Sequence, residues 1–173
     1  HISASMAALV WMFIEWKRFG KPSLIGVVTG MVAGLATVTP ASGYIGIPGG
    51  LVLGFSGGLL CYLAVDYIRV KLLIDDSLDV FAVHGVGGIL GTLLVAFLAT
   101  STFSGLGLPE GQTAMSQFVV QVKAVILTVI WTSIFTYLIL KVTSLIVPLR
   151  VDEQEEIEGL DLRSHGEKGY HSD

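Results

Sequence analysis

The sequence predicts an all-α protein, a polytopic bundle of transmembrane helices followed by a polar tail. Three observations carry that prediction. Hydrophobic residues make up 53% of the 173 and charged residues 14%, with a mean hydropathy of +0.76, whereas a soluble domain carries about a quarter charged residues. Apolar stretches close to 20 residues recur, and a segment crossing lipid must satisfy its own backbone hydrogen bonds, which selects helices over an open sheet. The 21 glycines suit helices packed backbone to backbone in lipid.

Five spans are expected. The first covers residues 2–16, before Lys17 and Arg18. The second covers residues 23–39 and stops before Pro40, which cannot continue a helix's hydrogen bonding. The third and fourth cover residues 44–68 and 79–99. The fifth covers residues 116–147, and at about 1.5 Å per residue it measures about 48 Å against a hydrocarbon core of about 30 Å, so it tilts or projects. Residues 1–148 thus form the membrane part and residues 149–173 the tail. The chain begins with His1 inside an apolar run, without a signal peptide or basic leader, and reads as the C-terminal piece of a longer protein.

Charge sets the orientation. Lys17, Arg18 and Lys21 join spans one and two, Arg69 and Lys71 join spans three and four, and Arg150 follows span five. The alternate loops, residues 40–43 and 100–115, hold no Lys or Arg. Basic loops mark the cytoplasmic side, so the C-terminal tail is expected there. The tail from Leu149 holds eight acidic and three basic residues (−5), and residues 1–148 hold six and seven (+1), which together give the net −4. No basic patch for nucleic acid is present.

Gly26, Gly30 and Gly34 form a stripe on span two, and span four carries Gly87 and Gly91 at the same spacing. Span three carries Gly46, Gly49, Gly50, Gly54, Gly57 and Gly58. Close helix packing is the reading favoured over lining of a pathway. The single Cys61 is expected to pack and excludes an intrachain disulfide. Trp11 and Trp16 serve either as interface anchors or as packing residues.

The chemistry concentrates at Asp79-Val-Phe-Ala-Val-His84-Gly-Val-Gly-Gly88. An imidazole in an uncharged apolar run either lines a pathway or is satisfied by packing inside the bundle; the first reading is favoured because titratable groups in a span are costly to keep. Asp79 is expected to cap the fourth span at its N-terminus. Gly85, beside His84, leaves room for a ligand or for a neighbouring helix. Asp66 and Arg69 are spaced for a local ion pair. Asp75 and Asp76 are expected to be solvated, and Lys123 and Lys141 to reach the interface. No phosphate-binding loop, nucleophile elbow or Cys/His metal spacing occurs, so neither an enzyme, a metal nor a cofactor is expected.

That decapeptide resembles the signature of the ammonium transporter (Amt/Mep/Rh) family. Two further stretches agree: Thr39-Pro40-Ala41-Ser42-Gly43-Tyr44-Ile45-Gly46, and the tail from Glu158-Gly159-Leu160-Asp161 through His165-Gly166-Glu167-Lys168-Gly169-Tyr170. The resemblance implies eleven helices in two inverted repeats plus a long final helix, with these spans as helices seven to eleven. It also implies a homotrimer in the plasma (inner) membrane with one pore per subunit, passing ammonium or ammonia for nitrogen uptake. His84 matches one of two stacked pore histidines, whose partner lies in the first repeat. Val80 matches a pore-lining position and Asp79 an acidic residue of structural importance. His1 is not that partner, since the residues after it fit the connection between helices seven and eight. In the tail, Gly159, Leu160, Asp161, His165, Gly166, Glu167 and Tyr170 match a regulatory segment that docks under neighbouring subunits and answers to a PII-type signalling protein. The alternative function is an ammonium sensor of the same fold, signalling through that tail.

Overall fold

The computed structural model describes residues 1–168. Among them lie the helices α1 (Ile2–Phe19), α2 (Leu24–Val38), α3 (Ile47–Asp66), α4 (Gly87–Leu98), α5 (Ala114–Ser144) and α6 (Glu153–Glu158), and no strand. Wide π-helical turns extend α3 over Tyr67–Lys71 and lead into α4 over Phe81–Val86. Four helical segments, Leu24–Ala41, Ile47–Lys71, Phe81–Leu98 and Ala114–Ser144, are long and apolar enough to cross a membrane. α1 is outside that set because its 18 residues include Glu15, Lys17 and Arg18. The chain divides into two compact units, His1–Ile126 and Leu127–Asp173, the second beginning within α5.

Helix ends follow local chemistry. α1 runs past residue 16 to Phe19 and stops at Gly20, whose φ of 78° is open to glycine and whose N–H reaches Trp16 O at 2.9 Å. Ser23 caps α2, its hydroxyl accepting the Gly26 N–H at 2.9 Å, while Glu15 accepts the Ser23 N–H at 2.7 Å. Tyr44, where the third span is expected to begin, lies before the helix. Residues 42–46 turn first, and α3 begins at Ile47 with Pro48 in its first turn, where the missing N–H costs nothing. α5 runs from Ala114 to Ser144 and not over residues 116–147.

In the first unit, α1 lies against both α2 and α3 along a face of small residues. Ser3, Ala4, Ala7 and Trp11 are its buried positions. A Cβ on Gly30 would sit 2.6 Å from Trp11 Cβ, one on Gly34 2.8 Å from Ala7 Cβ, and one on Gly58 2.9 Å from Ala7 Cα. Gly30 and Gly34 of span two and Gly54, Gly57 and Gly58 of span three are therefore packing residues, as their spacing led us to expect. The Ser3 hydroxyl, buried among them, donates to Gly34 O at 2.7 Å. Thr37 of α2 plays the same part for the next helices: a Cβ on Gly57 would lie 2.8 Å from its Cβ and one on Gly87 2.9 Å from its Oγ1. Trp11 packs edge-on against Tyr62 with ring centroids 5.0 Å apart, and Cys61 is buried beside them. Trp11 is thus a core residue, whereas Trp16 is exposed.

The two ends of this unit differ. Residues 41–46 and 100–108 meet at one end, where Leu106 N–H donates to Tyr44 O at 3.1 Å, and no charged side chain takes part. The other end is held by ion pairs. Arg18 meets Asp66 at 3.0 Å and Arg69 meets Asp79 at 2.7 Å. Asp66 and Arg69 are therefore not partners of one another, since each finds a better-placed group on a different element.

In the second unit, α6 is an acidic turn in which Glu155, Glu156 and Glu158 meet arginines. Arg150 donates to Glu156 at 2.9, 3.0 and 3.3 Å, and Arg163 approaches Glu155 at 3.6 Å and Glu158 at 3.8 Å. Gly159 (φ 93°) ends the helix and Gly166 (φ 66°) ends the following turn.

Candidate substrate pathway around His84

His84 sits in the π-helical turn that leads into α4. The neighbouring Ala82 and Val83 are buried against the bundle, and Cys61 Sγ approaches Val83 O at 3.8 Å. That contact turns the other side of the segment outward. His84 itself is exposed, as are Val80 and Phe81 on its side of the turn. Among the described residues the ring has no hydrogen-bond partner. Packing among the described residues does not enclose the ring.

His84, Gly85, Val80 and Phe81 share the wall of a cavity of about 420 Å³ with Ile68, Ile74, Asp75 and Asp76. Gly85 does not leave an open space beside itself, because a Cβ there would meet the Phe81 ring at 3.0 Å.

Asp79 does not cap the helix. Its φ of 55° puts it in the left-handed region, away from the extended backbone that a capping residue adopts. The cap is Asp76, whose two carboxylate oxygens accept the Val80 N–H at 2.8 Å and the Phe81 N–H at 2.9 Å. Residues 76–79 form a turn, closed by Asp79 N–H donating to Asp76 O at 3.1 Å, that carries the carboxylate of Asp76 back over the helix start. Asp79 is freed to pair with Arg69 and is nearly buried, its side chain 12% exposed. It lies just outside the apolar segment Phe81–Leu98. Burial raises its carboxyl above the ordinary carboxylate value, and the charge of Arg69 opposes that rise. Asp76 and Arg69 are the two contributors that sequence reasoning assigned elsewhere. The available signal was the acidic pair Asp75 and Asp76, standing before the first helical N–H groups.

The tail positions lie in the second unit. Gly159 follows α6, Leu160 and Asp161 open the turn Asp161–His165, and Glu167 N–H donates to Asp161 O at 3.0 Å beyond Gly166. Tyr170 lies outside the described residues. Among the described residues no cluster of three or more His, Cys, Asp or Glu is grouped to hold a metal ion.

Comparison with known proteins follows the same lines. The sequence profile of the Ammonium Transporter Family matches residues 1–170. An ammonium transporter of Aquifex aeolicus is 41% identical over 98% of this chain and 40% of its own length. The ammonium transporter Amt1 of Archaeoglobus fulgidus is 43% identical over 97% of this chain and 42% of its own. The chain thus spans about two fifths of the length of these curated relatives. Among solved structures, a sensor Amt protein superposes with a TM-score of 0.83 at 28% identity, covering 94% of this chain and 39% of that one. Mep2 of Candida albicans superposes at 0.75 and 30% identity, covering 89% and 35%. With its apolar helices, its His84 segment and a profile match over nearly its whole length, this chain is part of a multi-pass membrane protein and belongs to the ammonium transporter family.

Proposed function

We propose that the protein passes ammonium or ammonia across the plasma (inner) membrane through a narrow apolar pore, with His84 as one of two histidines in it. The observation that carries this reading is an imidazole held outward on an apolar surface, with Val80 and Phe81 beside it, in a chain of this family. The relatives are longer than this chain, and the partner histidine and the facing wall belong, in this reading, to the part of them that it does not match. Two inverted repeats, a homotrimer and a cytoplasmic C-terminus complete the arrangement. The five helical regions of residues 1–148 cross the membrane, and residues 149–173 form the tail.

The chemistry favours separating the cation from its proton. Moving an ammonium ion out of water costs several kcal/mol even after relaxation, and neutral ammonia costs far less. A neutral imidazole accepts a hydrogen bond from either species and relays a proton to a second ring. Val80, one turn before His84, narrows the apolar passage, while Asp79 and Gly85 shape the segment. Conversion of His84 to Ala in the protein expressed from its complete gene is expected to abolish uptake into liposomes or to erase ammonium/potassium discrimination. Wild-type uptake with unchanged discrimination would overturn the assignment.

A second reading, ammonium sensing, draws on the likeness to a solved structure described as a sensor Amt protein. Here the tail segment with Gly159, Leu160, Asp161, His165, Gly166, Glu167 and Tyr170 passes the signal on, and in the transport reading it answers to a PII-type protein. Ligand-dependent signalling without flux favours the sensor, and robust flux by the purified protein favours the transporter.

A further inference from the structure

We infer that Arg69 is a positioning residue for His84, fixing through one guanidinium the turn that sets where the His84 segment begins. The inference rests on the pore reading of His84 and adds to it the group that holds the pore residue in place.

Residues 72–79 have no helix of their own, yet they define where the segment with Val80, Phe81 and His84 begins. Two of them, Leu73 (φ 52°) and Asp79 (φ 55°), adopt a left-handed backbone without being glycine. Such residues persist where their surroundings over-determine them. At Asp79, Arg69 supplies that constraint. Its Nε meets Asp79 Oδ1 at 2.7 Å, and its Nη2 donates to Ser77 O at 2.7 Å and to Asp76 O at 3.4 Å. The planar fork therefore ties residues 76, 77 and 79 to the end of α3, a task a single ammonium group cannot perform in the same geometry.

The constraint passes on through Asp76. With its carbonyl held from one side, its carboxylate is aimed at the Val80 and Phe81 N–H groups. Val80, Phe81, His84 and Gly85 then form a common wall of the cavity. Arg69 is not among the residues that line that cavity, so it acts on His84 through the turn of residues 76–79.

The test uses the protein expressed from its complete gene, with Arg69→Gln and Arg69→Lys. Amide exchange of residues 76–86 is followed by mass spectrometry, and ammonium flux and ammonium/potassium discrimination are measured in liposomes. Arg69→Gln is expected to speed exchange at residues 77–84 by about tenfold, with α2 unchanged, and to lower discrimination. Arg69→Lys is expected to shift both readouts in the same direction by less. A Lys variant identical to wild type in both would show that charge alone suffices and would overturn the inference. Where the wild type shows flux, faster exchange with unaltered flux and discrimination would overturn it too. If Arg69→Gln does not assemble, Arg69→Lys decides by the same criteria. Wild-type protein without flux would sink the transport reading, and exchange that still rises in Arg69→Gln would leave the clamp standing. The two failures are thereby distinguishable.

Discussion

Between α1 and its neighbours α2 and α3, contact is made where side chains are missing. At the end that carries residues 66–84, contact is made by long charged side chains reaching across loops. The first region gains its energy from dispersion between closely approached backbones, which is short-ranged and intolerant of added volume. The second gains its from charge-assisted hydrogen bonds, which tolerate small displacements but demand particular partners. The imidazole of His84 lies where the two regimes meet, its segment buried through Ala82 and Val83 on one side and clamped through Asp76 at its start. A rigid half and a specified half together fix one ring.

The sharpest way to break the packed half is Gly34→Val. A Cβ there runs into the Ser3 carbonyl and sits 2.8 Å from Ala7 Cβ, and the Ser3 hydroxyl bond to Gly34 O would be displaced as well. Because the obstacle is backbone, α1 and α2 would have to separate. The expected cost is about 3 kcal/mol, at the upper end of overpacking effects. It would be read as loss of assembled protein in detergent and a fall in unfolding free energy in mixed micelles. A variant as stable as wild type would mean that the α1 and α2 interface is loose.

How far the sequence foretold this contrast depends on the range of the interaction. Helix identity and the glycine stripes were legible because hydropathy and small-residue spacing act within a few turns. The outward imidazole was legible in part: its cost in lipid pointed to a role, but which face it took was decided by Cys61 and Val83 packing beneath it. The ion pairs were misassigned for a physical reason. Asp66 and Arg69 are spaced for a local bond, and local spacing says nothing of Arg18, 48 residues away, or of Asp79. The cap was misplaced because Asp79 adjoins the helix in sequence. Its left-handed backbone, imposed by the turn, takes it out of capping geometry and brings Asp76 into it. The π-helical widening over Phe81–Val86 has no hydropathy signature at all.

Asp76→Ala sharpens the specified half at its cap. Two N–H groups lose their acceptor and the helix start loses a negative charge, which together are expected to cost about 1–2 kcal/mol. Asp76→Asn keeps one accepting oxygen and is expected to cost less than Ala. Unfolding in mixed micelles ranks the three proteins, and exchange at Val80 and Phe81 shows whether the loss is local. Equal values for Asn and Ala would mean that a single accepting oxygen contributes nothing to the cap.

The smallest effect is expected from the pair at the far side of the same end. Arg18 and Asp66 are each nearly half exposed, at 45% and 43%, and Arg18 also leans on the Tyr62 ring at 5.9 Å and lies within 3.4 Å of its hydroxyl. Water and salt screen such a pair, so Asp66→Asn is expected to move the unfolding midpoint less than Asp76→Asn, and less again in high salt. Arg18→Met, combined with Asp66→Asn in a double-mutant cycle, separates the charge from the stacking on Tyr62. A coupling that survives high salt undiminished would mean that this pair is sheltered like Arg69 and Asp79. The charged end would then be clamped at two points, and holding the start of the His84 segment would no longer fall to Arg69 alone.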